Sequence, residues 1–111
     1  MNICLNYGSR DEITKATKEI AELVKEGKMN IDEITPQVVS DHLYTKGLPD
    51  VDLMVRTSGE ERLSNYLLWQ NAYAEFVFTD VHWPDFKRDA FEAALSEFNN
   101  RNRRFGGLKN E

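Results

Sequence analysis

Apolar side chains recur along this chain with two different periods, and glycine, proline, serine and threonine stand where the period changes. Asn2-Ile3-Cys4-Leu5-Asn6 is a short, mostly apolar run ending at Tyr7-Gly8, which predicts a strand closed by a tight turn. Ile13, Ala16, Ile20, Leu23 and Val24 follow at helical spacing. Ser9 and Glu12 have the spacing of a capping box at the start of that helix, and Gly27, between Lys25 and Lys28, is a C-terminal stop. Thr35-Pro36 predicts a cap and first-turn proline for a short helix carrying Val38, Val39, His42 and Leu43, which Gly47 and Pro49 end.

Val51-Asp52-Leu53-Met54-Val55 is nearly unbroken in apolar character, which predicts a second strand buried on both faces. Arg56 to Arg62 reads as a polar strand-to-helix loop. Ser64 is placed to cap a helix through Tyr66, Leu67, Leu68, Trp69, Ala72 and Tyr73, apolar on most sides and therefore buried. Phe76-Val77-Phe78 predicts a third strand. Beyond Trp83-Pro84-Asp85, the residues Phe91, Ala94, Leu95 and Phe98 mark a final amphipathic helix ending in Arg101, Arg103, Arg104 and Gly106-Gly107. The alternation predicts an α/β fold: a partial parallel sheet of about three strands with helices on its faces and ligands at the strands' carboxyl ends.

With 111 residues the chain is long enough for one compact domain, taken to span 1–111. A net charge of -5 argues against a nucleic-acid partner, because coating phosphates requires a basic surface. Any anion site must be local. Cys4 is the only cysteine, so neither a disulfide framework nor a cysteine-based zinc site is expected, which suits a reducing cytosol. His42 and His82 lack ligand-like spacing and read as ordinary helix or loop residues. No run of eighteen apolar residues occurs, and Met1 leads into no basic n-region or cleavage site, so neither a membrane span nor a signal peptide is expected.

The loop from Arg56 to Ser64 collects two guanidinium groups, several hydroxyls, a glycine and a predicted helix start. Diphosphate is bound by such groups: arginine's planar fork matches phosphate oxygens, helix-start amides point at anions, and Gly59 permits close approach. Glu60 and Glu61 cancel the charge of Arg56 and Arg62, so a surface loop laced with salt bridges fits the same residues. Glu75, just before the third strand, is the candidate metal ligand, since hard divalent cations prefer carboxylate oxygen. A lone glutamate there reads equally as solvated. Arg101 to Arg104 likewise suits a helix C-terminus whatever the function.

Taken together, Asp52-Leu53-Met54-Val55-Arg56-Thr57-Ser58-Gly59-Glu60-Glu61-Arg62-Leu63-Ser64-Asn65-Tyr66-Leu67-Leu68-Trp69-Gln70, then Ala72-Tyr73-Ala74-Glu75-Phe76 and Trp83-Pro84-Asp85-Phe86, resemble the cis-prenyltransferases of the undecaprenyl diphosphate synthase type. Asn6-Tyr7-Gly8-Ser9-Arg10 resembles another motif of that family, and Arg103-Arg104-Phe105-Gly106-Gly107 its C-terminal Arg-x-Gly element. The resemblance covers essentially the whole chain, in order. It implies head-to-tail condensation of isopentenyl diphosphate onto an allylic diphosphate with cis double bonds, making the lipid carrier of bacterial cell-wall synthesis. Carried over by position, Arg56, Arg62 and Ser64 hold the diphosphate of isopentenyl diphosphate. By the same resemblance Glu75 would ligate Mg2+, and Arg104 and Gly106 would reach the same diphosphate region across a homodimer interface. A cytoplasmic enzyme, peripheral at the inner face of the membrane through its lipid product, is implied as well.

Two departures stand out. Ser9 occupies a position where the family usually has a second glycine. The family's Asp-Gly-Asn-Gly-Arg motif, which carries the essential aspartate and shares the metal, does not occur, so no catalytic residue is assigned and the chain reads as the C-terminal half of the fold, inactive alone. Two alternatives remain: a non-catalytic partner lending its Arg-x-Gly tail to another subunit, against which the intact Arg56–Glu60 loop speaks, and a generic phosphate-binding α/β domain.

Overall fold

The computed structural model describes residues 1–107. Its elements, in chain order, are α1 (Ser9–Lys25), a 3-10 turn (Ile31–Glu33), α2 (Pro36–Asp41), β1 (Leu53–Arg56), β2 (Glu75–Phe78), a second 3-10 turn (Trp83–Asp85) and α3 (Arg88–Asn99). Two compact units divide them. The first comprises Met1–Pro49 with Asn65–Trp69; the second comprises Asp50–Ser64 and the chain from Gln70 onward.

In the first unit, α1 buries Ser9, Glu12, Ala16 and Ile20, one face at spacings of three and four. Its carboxyl end closes as expected: Gly27 takes φ +71, its amide donates to the Val24 carbonyl, and the Lys28 amide donates to that of Leu23. Those two bonds are the Schellman pattern, which glycine makes available without a Cβ penalty. The amino end differs from the expected capping box. Gly8 is the cap residue, the Ser9 hydroxyl accepts from the Leu68 amide at 3.0 Å, and the Glu12 carboxylate accepts from the Tyr44 amide at 2.6 Å and from the Tyr7 hydroxyl. Both side chains serve distant backbone instead of the helix start, because burial makes the unmet amides of other segments the costlier groups to leave unpaired. Helix α2 is capped as read from the sequence, with Thr35 Oγ1 accepting from the Val38 amide at 3.3 Å.

Residues Met1–Asn6 form no strand, a correction to the sequence expectation, and Ile3 and Leu5 are 71% and 85% exposed. An extended run becomes a strand only by exchanging hydrogen bonds with a neighbour, and none lies beside it among the described residues. The sheet accordingly has two strands where about three were expected.

In the second unit, β1 and β2 run parallel, Leu53 opposite Glu75 and Arg56 opposite Phe78. α3 packs on β2, burying Val77 and Ala94. β1 is half-buried along its whole length, not buried on both faces, because a sheet of two strands is covered incompletely.

The crossover from β1 to β2 contains no helix, a second correction. Ser64, Asn65 and Leu67 all take positive φ, between 46° and 62°, which an α-helix cannot accommodate. The cost is met by what the segment bonds to. Within the first unit the Ser9 amide donates to the Asn65 carbonyl at 2.8 Å, the Arg10 amide to Asn65 Oδ1 at 2.9 Å, and Trp69 Nε1 to Ser40 Oγ at 3.0 Å.

Candidate functional site

All six candidate site residues, Arg56, Arg62, Ser64, Glu75, Arg104 and Gly106, fall in the second unit. Arg56 closes β1, and its carbonyl accepts from the Thr79 amide at 2.9 Å. Ser58 and Gly59 then take φ +67 and +69, and their amides donate to the carbonyls of Val81 at 2.9 Å and Thr79 at 3.0 Å. The backbone donors expected to face a phosphate are therefore committed to the chain beyond β2. The room at Gly59 is also tight, since a Cβ there would lie 3.1 Å from Asp80 Oδ1.

The two arginines of the loop differ. Arg62 pairs with Glu60 while 63% of its side chain stays exposed, so the salt-bridged reading of the loop holds for that residue. The half-buried Arg56 makes no ion pair among the described residues. Ser64 is exposed at φ +49 and caps no helix, so the helix-start contribution to an anion site is absent from this segment.

Glu75 begins β2 and its amide donates to the Asp52 carbonyl at 2.9 Å. The register puts it opposite Leu53, three positions before Arg56, and so about 10 Å back along the strand direction, at the amino end of the sheet. Its Oε2 accepts from Arg101 Nη1 at 3.1 Å. Arg101 also pairs with Glu97, one helical turn earlier. Hydrogen bonds to Glu97 first and Glu75 second hold the guanidinium pKa above its ordinary value.

The segment after α3 folds onto the same end. Arg103 Nη1 donates to Asp52 Oδ1 at 2.6 Å and Nη2 to the Tyr73 carbonyl at 3.3 Å. The same guanidinium lies 4.5 Å from the Phe105 ring centre and 5.7 Å from that of Phe98. A cleft of about 310 Å³ results, lined by Tyr73, Glu75, Arg103, Arg104, Phe105 and Gly106 among others. The structure thus brings Glu75, Arg104 and Gly106 together in this cleft, and leaves Arg56, Arg62 and Ser64 out of its lining. The sequence expectation put Arg56, Arg62 and Ser64 on the diphosphate, Glu75 on Mg2+, and Arg104 and Gly106 at the same diphosphate across a dimer interface; within one chain, Glu75, Arg104 and Gly106 share a cleft that the other three do not line.

Mg2+ is commonly held by one or two carboxylates with phosphate oxygens and waters. Among the described residues no group of three His, Cys, Asp or Glu could hold a metal, and Glu75 Oε2 is engaged by Arg101, so Glu75 would have to give up that contact to bind the ion. Asp52 and Tyr73 stand in the motif stretches but not among the candidate site residues, and Arg103 reads from the sequence as a helix-end cation at the start of the Arg-x-Gly element, with no partner assigned. Asp52 and Arg103 are 51 positions apart, and no local pattern links them.

Comparison with known proteins is uniform. The family model for undecaprenyl diphosphate synthases of the prenyltransferase type matches residues 1–106. The isoprenyl transferase of Agrobacterium fabrum is 58% identical over 106 residues, covering 96% of this chain and 43% of the relative. That of Bacillus subtilis is 58% identical over 108 residues, covering 97% and 42%. The crystal structure of lavandulyl diphosphate synthase from Lavandula x intermedia, in complex with dimethylallyl diphosphate, superposes with a TM-score of 0.89 at 38% identity, over 92% of this chain and 44% of that one. A probable undecaprenyl diphosphate synthase from Campylobacter jejuni gives 0.74 at 36% identity, over 92% and 45%. The chain spans less than half the length of the relatives it matches. No helix among the described residues is long and apolar enough to cross a membrane.

Proposed function

Because this chain belongs to the undecaprenyl diphosphate synthase family of prenyltransferases, we propose that it supplies the isopentenyl-diphosphate-binding portion of a cis-prenyltransferase. The reaction would join isopentenyl diphosphate to an allylic diphosphate, the new carbon–carbon bond forming as the allylic diphosphate leaves. Arginines contribute by neutralising phosphate charge and fixing the homoallylic double bond against the allylic carbon. One observation carries this: Arg56 stands at the carboxyl end of a parallel strand with no ion-pair partner among the described residues, while its neighbour Arg62 is spoken for by Glu60. Carboxyl ends of parallel strands are where α/β sheets take ligands.

In this reading Arg62 and Ser64 join the site, Arg104 and Gly106 reach it across a homodimer interface, and dimethylallyl diphosphate bound by the structural relative supports an allylic diphosphate as co-substrate. Homodimer assembly, a Mg2+ ion completed by groups outside this chain, and a cytoplasmic position reaching the membrane through the lipid product belong to the same reading. So does the assignment of residues 1–111 to the C-terminal portion of one catalytic domain.

Titration calorimetry tests it. Isopentenyl diphosphate should bind the chain, and Arg56→Ala should weaken binding about tenfold, the equivalent of one charge-assisted hydrogen bond. Arg62→Ala should weaken it less, because that guanidinium must first leave Glu60. With allylic and isopentenyl diphosphates and Mg2+ the chain alone should form no polyprenyl product. Equal binding by the Arg56→Ala variant would refute the assignment of the site, and product formation would refute that of a portion.

A further inference from the structure

The cleft holding Glu75, Arg104 and Gly106 exists because something keeps the segment after α3 against the sheet, and one side chain makes two of the contacts that do so. We propose that Arg103 is a positioning residue: its guanidinium pins residues 101–107 to the amino end of the β1–β2 pair and so aims Arg104 and Gly106 at a diphosphate. The inference rests on the diphosphate reading of the tail given above.

Arginine's planar fork offers several donors in fixed directions, so one residue can bridge a side chain and a carbonyl on different segments. Here Nη1 takes Asp52, just before β1, and Nη2 takes the carbonyl of Tyr73, just before β2. Both strands are thereby tied to the tail at their entry points. Phe98, in the last turn of α3, and Phe105, between Arg104 and Gly106, lie within cation–π reach of the same group. The Phe105 ring in turn meets Tyr73, 6.2 Å between centroids. Arg104, by contrast, is exposed and makes no ion pair among the described residues, as a ligand-facing neighbour should be. Arg103 is therefore spent on structure and Arg104 is left for the ligand.

The test uses the whole chain and inorganic pyrophosphate as probe. Backbone 15N relaxation reports picosecond-to-nanosecond order at residues 101–107, and calorimetry reports affinity. Arg103→Ala should lower the order parameters of the tail and weaken pyrophosphate about tenfold. Arg103→Lys should fall between, keeping the charge but not the fork. Asp52→Asn, a change at an exposed side chain that leaves the fold intact, should loosen the tail in the same direction. The double exchange Asp52→Arg with Arg103→Asp should restore order and affinity toward the starting values. A tail that stays rigid in Arg103→Ala, or one that loosens without loss of affinity, would overturn the proposal. Failure of the underlying reading looks different: the unsubstituted chain would not bind pyrophosphate at all, and the relaxation data would still decide whether Arg103 pins the tail.

Discussion

Removing the Glu12 carboxylate should destabilise the chain more than any change at its surface. Glu12 is 1% exposed, yet carries a group that costs several kcal/mol to bury unpaired. Its Oε1 accepts from the Tyr44 amide at 2.6 Å and its Oε2 from the Tyr7 hydroxyl. A hydrogen bond to an ionised group contributes about 1.5–3 kcal/mol, and Glu12→Ala removes at least the two from Tyr44 and Tyr7 while stranding a backbone donor, for a loss of at least about 3–5 kcal/mol. Domains of this size are stable by about 5–15 kcal/mol, so a large share disappears. Glu12→Gln separates geometry from charge. The amide oxygen can still face the Tyr44 N–H and the NH2 can donate to the Tyr7 hydroxyl, so only charge assistance is lost, about 1–2 kcal/mol. Urea unfolding followed by circular dichroism should place the alanine variant's midpoint roughly 2 M below the starting protein, with the slope unchanged, and the glutamine variant between. If both variants unfold within about 0.5 kcal/mol of the parent, the carboxylate is solvated in solution and the buried network is not what holds Tyr7 and Tyr44 to α1.

The same network predicts a pH effect. Burial first and the Glu12 hydrogen bond second push the Tyr7 hydroxyl from about 10 up to about 12, so the neutral phenol is favoured in the folded state. Its contribution is complete below pH 10 and is lost as pH climbs from 10 through 12; Tyr7→Phe should flatten that part of the stability curve, and parallel curves for the two proteins would contradict it. Glycine substitutions should rank by cause. Gly27→Ala meets nothing within 4 Å and should cost about 1 kcal/mol through its left-handed backbone alone. Gly8→Ala should cost about 1–3 kcal/mol by crowding, since the new methyl would stand 2.9 Å from Asn65 Nδ2 and 3.0 Å from Asp11 Oδ2. Thermal unfolding of the pair checks the order, and the reverse order would exclude the crowding argument.

Much of the fold was legible where a local rule acts alone. The 3.6-residue period and Gly27 placed α1, Thr35-Pro36 placed the start of α2, and the apolar runs around Met54 and Val77 placed both parallel strands. The reading failed where residues close in sequence bond far away. Ser9 and Glu12 carry the letters of a capping box but serve Leu68 and Tyr44, and the apolar stretch from Tyr66 to Tyr73 has helical composition but is entered through left-handed Ser64 and Asn65 and holds a third such residue, Leu67.

For the site, residue type was decided locally and placement was not. Arginines in a loop after a strand, and a basic run ending in glycines, are visible in the letters because charge and flexibility belong to single residues. Which arginine is free and which is paired is another matter. The sheet register sets Glu75 and Arg56 at opposite strand ends, Glu60 takes Arg62, and Asp52 takes Arg103 across 51 positions. Hydrogen bonds and ion pairs act over about 3 Å, so they depend on distances in space that only the folded backbone determines.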